Sequence, residues 1–381
     1  MVYLDNNATT TVDACVQESI MQGLSHYANP SSLHYGGLAA AKDLAESRSI
    51  IAHSIGCEDI EIIFTSSGSE SNNLCIKGYA LANIHRGNHI ITTSIEHPSI
   101  LQSCKYLSDN GFDVTYLDVD SQGFVLEDQL RESLNDNTIL VSITHANSEI
   151  GTIQPLDKLL RIIKTTKPDV ATHVDMAQSY LKTKYSEYFN LIDMASFSGH
   201  KIHAPKGIGF VYKRNSITLQ PIVHGGKQEG GLRAGTENIP YIKGLATAVS
   251  MYTEDDVLYV HELQSYLVSK LQEIKNIRIN GPTEPEMRLC TNVNFSTDAM
   301  DGEYILKVLS SRGICVSTGS ACSSRYEKTS HVLKAIKCPI EFIHGTIRIG
   351  LSKYNTKSEI DLFISELEII INSKKSFRLF G

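Results

Sequence analysis

Between residues 60 and 213 the apolar residues fall into short continuous runs: Ile60 to Phe64, Ile90 to Thr93, Val114 to Leu117, Ile139 to Ile143, Val170 to Val174, Ile192 to Phe197 and Ile208 to Tyr212. Runs this short, with little polar alternation, predict strands covered on both faces. Most are separated by stretches of helical periodicity such as Leu156 to Ile163. Strand and helix in alternation predict a mostly parallel sheet with helices on either side. The run Ile208 to Tyr212 follows its neighbour after only a loop containing glycine and proline. That is too short for a crossover helix, so this strand is expected to run antiparallel.

After Thr236 the pattern changes. Helices are predicted near Ile239 to Tyr252 and Val257 to Glu273, shorter strands at Asn292 to Ser296 and Ile347 to Leu351, and a closing helix from Lys357 to Asn372. The expected fold is α/β, with a mostly parallel seven-stranded sheet in a large domain at 14–255. Residues 1–13 and 256–381 form a smaller α+β domain in this reading.

With 381 residues, 41% of them hydrophobic, the chain can bury a large core. The net charge is only −7, and no basic cluster exceeds short pairs such as Lys374 and Lys375. That argues against direct nucleic-acid binding and against an anionic membrane surface, and favours small-molecule chemistry. No apolar run approaches the roughly 20 residues that span a bilayer, and Met1 to Leu4 lead into D-N-N-A-T-T without a basic leader. A cytoplasmic location is the expectation. Cysteines at 15, 57, 75, 104, 290, 315, 322 and 338 form neither C-x-x-C pairs nor a disulfide framework. Nor does any cluster suggest a metal site.

Chemistry concentrates between residues 173 and 207, which read H-V-D-M-A-Q, then D-M-A-S-F, then S-G-H-K-I-H-A-P-K-G. Asp175 and Lys201 each follow an apolar run, and in α/β sheets ligands collect at the carboxyl ends of strands. Pyridoxal 5'-phosphate (PLP) requires a carboxylate against its ring nitrogen and a lysine condensed with its aldehyde. Asp175 and Lys201 meet those two demands, Gln178 can reach the phenolic oxygen, and Ser198 and His200 become phosphate donors. Singly, Asp175 reads equally as a helix cap, Lys201 as a surface charge and Gln178 as a solvent-facing amide. Their spacing as a set is what points to the cofactor.

Four further segments carry chemistry. T-S-S-G-S-E-S-N-N, residues 65 to 73, places Gly68 and Ser69 where a strand opens a helix, so their amides suit a phosphate or a plain N-cap. His97 in E-H-P-S can stack on a cofactor ring and move protons, or start a helix. Cys322 in S-T-G-S-A-C-S-S sits among small polar residues, which predicts an exposed, mobile, reactive thiol. Arg348 in T-I-R-I-G-L has the fork geometry for a substrate carboxylate, or faces solvent. The glycine-rich stretch 225–238 can bring backbone N–H groups near an anion.

Together these motifs resemble the cysteine desulfurases of the NifS and IscS type, class V aminotransferase relatives with the fold-type I PLP architecture. The resemblance runs from Y-L-D-N-N-A-T-T at 3–10 through N-P-S-S-L-H at 29–34 to the last helix. It implies Lys201 as the cofactor lysine, Asp175 and Gln178 as ring partners, and His97 as the stacking acid/base. Gly68, Ser69, Ser198 and His200 form the implied phosphate cradle. Thr236 is implied to reach the cofactor phosphate of a neighbouring subunit, hence a homodimer with shared active sites. Asn147, Ser148 and Arg348 are implied to contact the substrate.

The implied reaction converts L-cysteine to L-alanine, with a persulfide formed on Cys322 and passed to an acceptor protein, a scaffold or a thiolation enzyme, for iron–sulfur cluster assembly or thiolation of tRNA or another cofactor. C-S-S-R-Y-E-K-T-S-H-V-L-K after Cys322 has the length of the long-loop group. Ser148 departs from the usual asparagine in N-N-E-[IT]-G, with one donor in place of two. Losing such a bond costs about 0.5 to 1.5 kcal/mol, which predicts weaker positioning and not a different reaction. The competing readings are another class V enzyme, an aminotransferase or selenocysteine lyase, and a catalytically silent PLP-fold partner.

Overall fold

The computed structural model describes residues 1–319 and 329–378. Its central sheet has seven strands in the order Ile62–Thr65, Gly209–Lys213, Met194–Ser198, Ala171–Asp175, Thr138–Thr144, His89–Thr93 and Asp113–Leu117. Gly209–Lys213 pairs antiparallel with both of its neighbours, while the other pairings are parallel. The reversed strand is the one its short loop predicts.

Apart from the partly exposed edge strand Asp113–Leu117, both faces of this sheet are buried, which explains the continuous apolar runs. Successive residues of a strand point to opposite faces, and Ile90 and Ile91 enter different cores. Ile90 joins Leu74, Ile76, Ile100 and Leu107. Ile91 joins Ile143, Leu159, Ile163 and Phe197. Helix Leu156–Thr166 supplies Leu156, Leu159, Leu160 and Ile163 from one stripe at the three-and-four spacing of an amphipathic helix.

A separate core gathers Leu4, Leu263, Phe295, Ile305, Ile347, Phe363 and Leu367. It lies around an antiparallel sheet of Ile277–Asn280, Asn292–Thr297 and Thr346–Gly350. Helix Glu254–Glu273 beside it begins at a capping box of Thr253 and Asp256, which satisfies two end donors at once. Val2–Tyr3 pairs in parallel with Ile314–Cys315. The N-terminal residues thereby enter this second core although most of the chain lies between.

Three details differ from the sequence expectation. The first strand begins at Ile62, because Asp59–Glu61 forms a 3-10 turn closed by a Glu58–Glu61 capping box. Strand Ile277–Asn280 and the two-residue pair at Val2 and Ile314 are too short to show a period. Gln178, three residues after Asp175 and so expected one helical turn further on, lies instead in a succession of turns.

Candidate active site

The parallel strands place Thr93, Thr144, Asp175 and Ser198 at one carboxyl edge, with Thr144 in register with Asp175 and Asp175 with Ser196. A cavity of about 230 Å³ opens there. Its lining contains Gly68, Ser69, His97, Asn147, Ser148, Asp175, Gln178, Ser198, His200, Lys201 and Arg348. These come from six separate stretches of sequence, and the fold brings them into one wall.

Lys201 sits just past the end of strand Met194–Ser198, in a 3-10 turn over Gly199–Lys201. Its Nζ donates to the carbonyls of Asn7 (2.6 Å) and Ala8 (2.8 Å), so the D-N-N-A-T-T segment forms the floor beneath it. Gln178 Nε2 donates to the same Asn7 carbonyl at 3.1 Å. Asp175 accepts from the Ala177 N–H (2.9 Å) and from Asn72 Nδ2 (2.8 Å). A carboxylate offers about four lone-pair sites, which leaves capacity for a protonated ring nitrogen.

The corner of the cavity at Gly68 is built by close approach. A Cβ at Gly68 would stand 3.2 Å from Ser198 Cβ and 3.8 Å from Ala177 Cβ, so only glycine leaves that corner open. Ser67 caps the turn by accepting from the Glu70 N–H at 3.2 Å. His200 is near Thr9 Oγ1 at 3.1 Å. Burial, then Lys201, Lys206 and Lys182, pushes the His200 imidazole down to about 3, so it enters the pocket uncharged.

Among the described residues, Asn7 Nδ2, Asn72 Oδ1 and Gln178 Oε1 are buried with no hydrogen-bond partner. Unmet polar atoms are costly in a folded interior, and these three lie on residues that line the cavity. A carboxylate, an amine, unmet amide groups and a glycine-opened corner fit the polar edge and phosphate of PLP.

The His97 ring is the N-cap of helix Pro98–Ser108: Nδ1 accepts from the Ser99 N–H at 3.1 Å and lies 2.8 Å from Ser99 Oγ. Asn72 Nδ2 donates to Ser99 Oγ at 2.9 Å as well as to Asp175. Burial lowers the His97 basicity, Asp175 opposes that, and Lys201 and His331 add to it.

Arg348 is buried, not on a solvent face. One Nη donates to the Ser148 carbonyl and the other to Asp5 Oδ1, each at 3.2 Å. Burial raises the Asp5 carboxyl, countered chiefly by the Arg348 guanidinium. Asn147 lines the cavity, yet its Oδ1 accepts from the Glu149 and Ile150 N–H groups and its Nδ2 donates to the Ile95 carbonyl. Its amide braces the loop that presents Ser148.

Glu96, directly before His97, was not singled out by its sequence context. Its side chain is fully buried, and Oε1 accepts from Thr93 Oγ1 (2.7 Å) and the Thr144 N–H (2.9 Å). Burial raises its carboxyl from 4.5 to about 8, with Asp175 adding to the rise and the two hydrogen bonds opposing it. A folded pKa above the unfolded one means the folded state holds the proton more tightly. That stability is complete below pH 4.5 and is lost as the pH climbs to about 8. Glu96→Gln is therefore expected to exceed the wild type by roughly 2 to 4 kcal/mol at pH 9 and to lose the advantage near pH 5. Urea midpoints at the two pH values measure this, and an equal difference at both would show that Glu96 does not titrate.

Glycine-rich residues 225–238 stand away from the cavity. Glu229 is held by Arg48 through paired contacts of 2.7 and 2.8 Å and accepts from the Phe64 N–H at 2.9 Å, and Arg233 donates to Glu70 at 2.9 Å. Thr236 at the far end of the loop is exposed and does not line this chain's own cavity. Cys322 lies outside the described residues.

Sequence reasoning passed over Asn72, Ser99, Asp5 and Asn7 as well as Glu96. Asn72 was detectable as the position one helical turn after Gly68, and Ser99 as the small hydroxyl residue two after His97. Asn7 and Asp5 stood in a quoted motif without an assigned task.

A family profile described as aminotransferase class-V matches residues 2–363. A protein named cysteine desulfurase IscS from Dictyoglomus turgidum is 41% identical over 382 residues, which covers 98% of this chain and 95% of that protein. A solved structure titled NifS-like protein superposes with a TM-score of 0.91 at 39% identity, covering 97% of this chain and 99% of the other. Another, titled SspA in complex with cysteine, gives 0.82 at 36% identity over 93% of this chain and all of its own. Similarity of this extent covers the pocket and all three cores at once, and the chain belongs to the class V aminotransferase family of PLP enzymes, as a cysteine desulfurase.

Proposed function

We propose that this pocket holds PLP and L-cysteine side by side, and that Cys322 carries the sulfur away as a persulfide. The observation that supports the reading is the meeting of Lys201, Asp175, His97 and Arg348 in one cavity of about 230 Å³. Asp175 holds the ring nitrogen, Gln178 the phenolic oxygen, and Gly68, Ser69, Ser198 and His200 the phosphate. When bound, PLP supplies an aldehyde that condenses with amines and an electron sink for the carbon next to the amine.

The chain's own residues do the rest. Arg348 binds the substrate carboxylate through its fork, with Ser148 beside it. Lys201 takes the proton from the substrate Cα. Cys322 Sγ, as a thiolate, attacks the substrate sulfur, so an S–S bond forms while the C–S bond breaks. The remaining three-carbon unit takes up protons and leaves as alanine.

Arg348→Lys tests the carboxylate assignment. A lysine keeps the charge and loses the fork, and loss of a charge-assisted bond of about 1.5 to 3 kcal/mol raises KM for cysteine roughly 10- to 150-fold. Steady-state kinetics at saturating PLP measures it, and an unchanged KM would move the carboxylate elsewhere.

The exposed Thr236, at the end of a loop pinned by two ion pairs, suits delivery to the phosphate of a second copy, and a homodimer with shared sites is part of this reading. So are a sulfur-acceptor protein, either scaffold or thiolation enzyme, a cytoplasmic location, and a division into 14–255 and the remainder. Among the described residues no helix is long and apolar enough to cross a membrane.

The decisive experiment uses the purified wild-type protein. It should be yellow, lose its colour with borohydride, and turn cysteine into equal amounts of alanine and, with a thiol reductant, sulfide. A strict requirement for a keto acid would make it a transaminase instead. A colourless protein that PLP cannot load would leave only the silent-partner reading.

A further inference from the structure

The chain of side chains from Asp175 to His97 has a fixed polarity. Asp175 Oδ2 can only accept, so Asn72 Nδ2 donates to it at 2.8 Å. The same nitrogen lies 2.9 Å from Ser99 Oγ and can only donate there too. Accepting from Asn72 leaves the Ser99 hydroxyl proton available to its other neighbour, His97 Nδ1 at 2.8 Å, and the direction of that contact follows from the backbone N–H beside it. The Ser99 backbone N–H points at that nitrogen as well, at 3.1 Å, and a backbone N–H has no other role available to it. Two donors meet at Nδ1, so Nδ1 carries no proton, and a neutral imidazole must then carry it on Nε2.

We propose that Ser99 and Asn72 are positioning residues that lock His97 as the Nε2–H tautomer, making it a hydrogen-bond donor toward the ligands in this pocket and barring it from acting as a base. The proposal rests on the reading of this cavity as the PLP site for its meaning in the reaction, but the lock itself belongs to the chain alone. To accept a proton at Nε2 the ring would have to shift its existing one to Nδ1 and break both Ser99 contacts. Protonation of the whole ring meets the same obstacle. The other groups facing His97 are Lys201 and His331, which disfavour added positive charge, and Asp175, which favours it; Glu96 precedes it in the chain. Removal of the substrate Cα proton then rests with Lys201, and the imidazole steers by donating.

Long-range proton–nitrogen NMR on protein labelled with 15N-histidine reads the tautomer directly. The His97 signal is identified by its loss in His97→Gln, and the measurement is made with PLP bound and again after PLP is stripped. The expected wild-type signal has a bare Nδ1 and a protonated Nε2 in both samples. Ser99→Ala deletes the hydroxyl and keeps the backbone N–H, so the His97 titration followed by NMR should move up by about 0.5 to 1 pH unit. Ser99→Thr, which restores both donors, should return the titration to the wild-type value. A protonated Nδ1 in the wild type, or a titration indifferent to Ser99→Ala, overturns the proposal. A correct tautomer in a protein that forms no alanine would instead leave the lock standing and remove the functional reading.

Discussion

Lys201→Ala is expected to lower alanine and sulfide formation from cysteine by at least about 10³-fold and to yield a colourless protein. A positioned acid/base group alone contributes typically 10² to 10⁴, and this lysine is also the residue assigned to hold the cofactor aldehyde. Its Nζ lies against the Asn7 and Ala8 carbonyls, so the variant loses two donors at the pocket floor. That costs about 1 to 3 kcal/mol of stability, which a chain with two large cores tolerates. The measurements are absorbance after PLP loading, amino-acid analysis for alanine, and a thermal melt to show that the fold survives. Turnover above about a tenth of wild type would remove Lys201 from the proton transfer.

Cys322→Ala should abolish sulfide release, by at least about 10²-fold, while cysteine still perturbs the absorbance of the bound cofactor. The structure narrows the alternatives. Among the described cysteines, Cys75, Cys104, Cys290 and Cys338 are buried, and burial drives the Cys75 and Cys104 thiols up to about 12, far from a thiolate at neutral pH. Cys15 is exposed and Cys57 and Cys315 are half-buried, and none of the three lines the cavity. None of the described thiols thus joins exposure to a place in the cavity wall, which supports the proposal that the thiol of S-T-G-S-A-C-S-S carries the sulfur. Mass spectrometry of wild-type protein treated with cysteine should find one extra sulfur atom on the Cys322 peptide. Retention of full sulfide release by Cys322→Ala would overturn the assignment.

How much of this was legible in the sequence depended on whether a signal was local. Six of the seven strands of the large sheet were readable because they are buried on both faces and appear as mainly apolar runs, while the edge strand Asp113–Leu117 is partly exposed. Val2–Tyr3 and Ile314–Cys315 were not, since two residues carry no period and their pairing spans most of the chain. In the pocket, Asp175, Lys201 and His97 each follow a strand end, which is a local mark. Asn72 matters only through partners 103 and 27 residues away, whereas Ser99 also meets His97 two residues before it. The role expected of Asn147 illustrates the opposite limit: its position is in the cavity wall, but neighbouring backbone groups already occupy most of its amide. Thr236 is exposed and stands outside this chain's own pocket, so no local mark could tie it to the site.

His97 closes the first turn of helix Pro98–Ser108 and also faces the cavity. A serine or aspartate there would keep the helix end and lose the ring, while a phenylalanine would keep a ring and leave an uncapped turn, at about 1 kcal/mol. No single replacement among the common side chains serves both needs. The position is therefore intolerant for two unrelated reasons, and they separate by variant: serine or aspartate removes the ring with the helix end kept, whereas a residue that cannot cap mixes a fold defect with a chemical one.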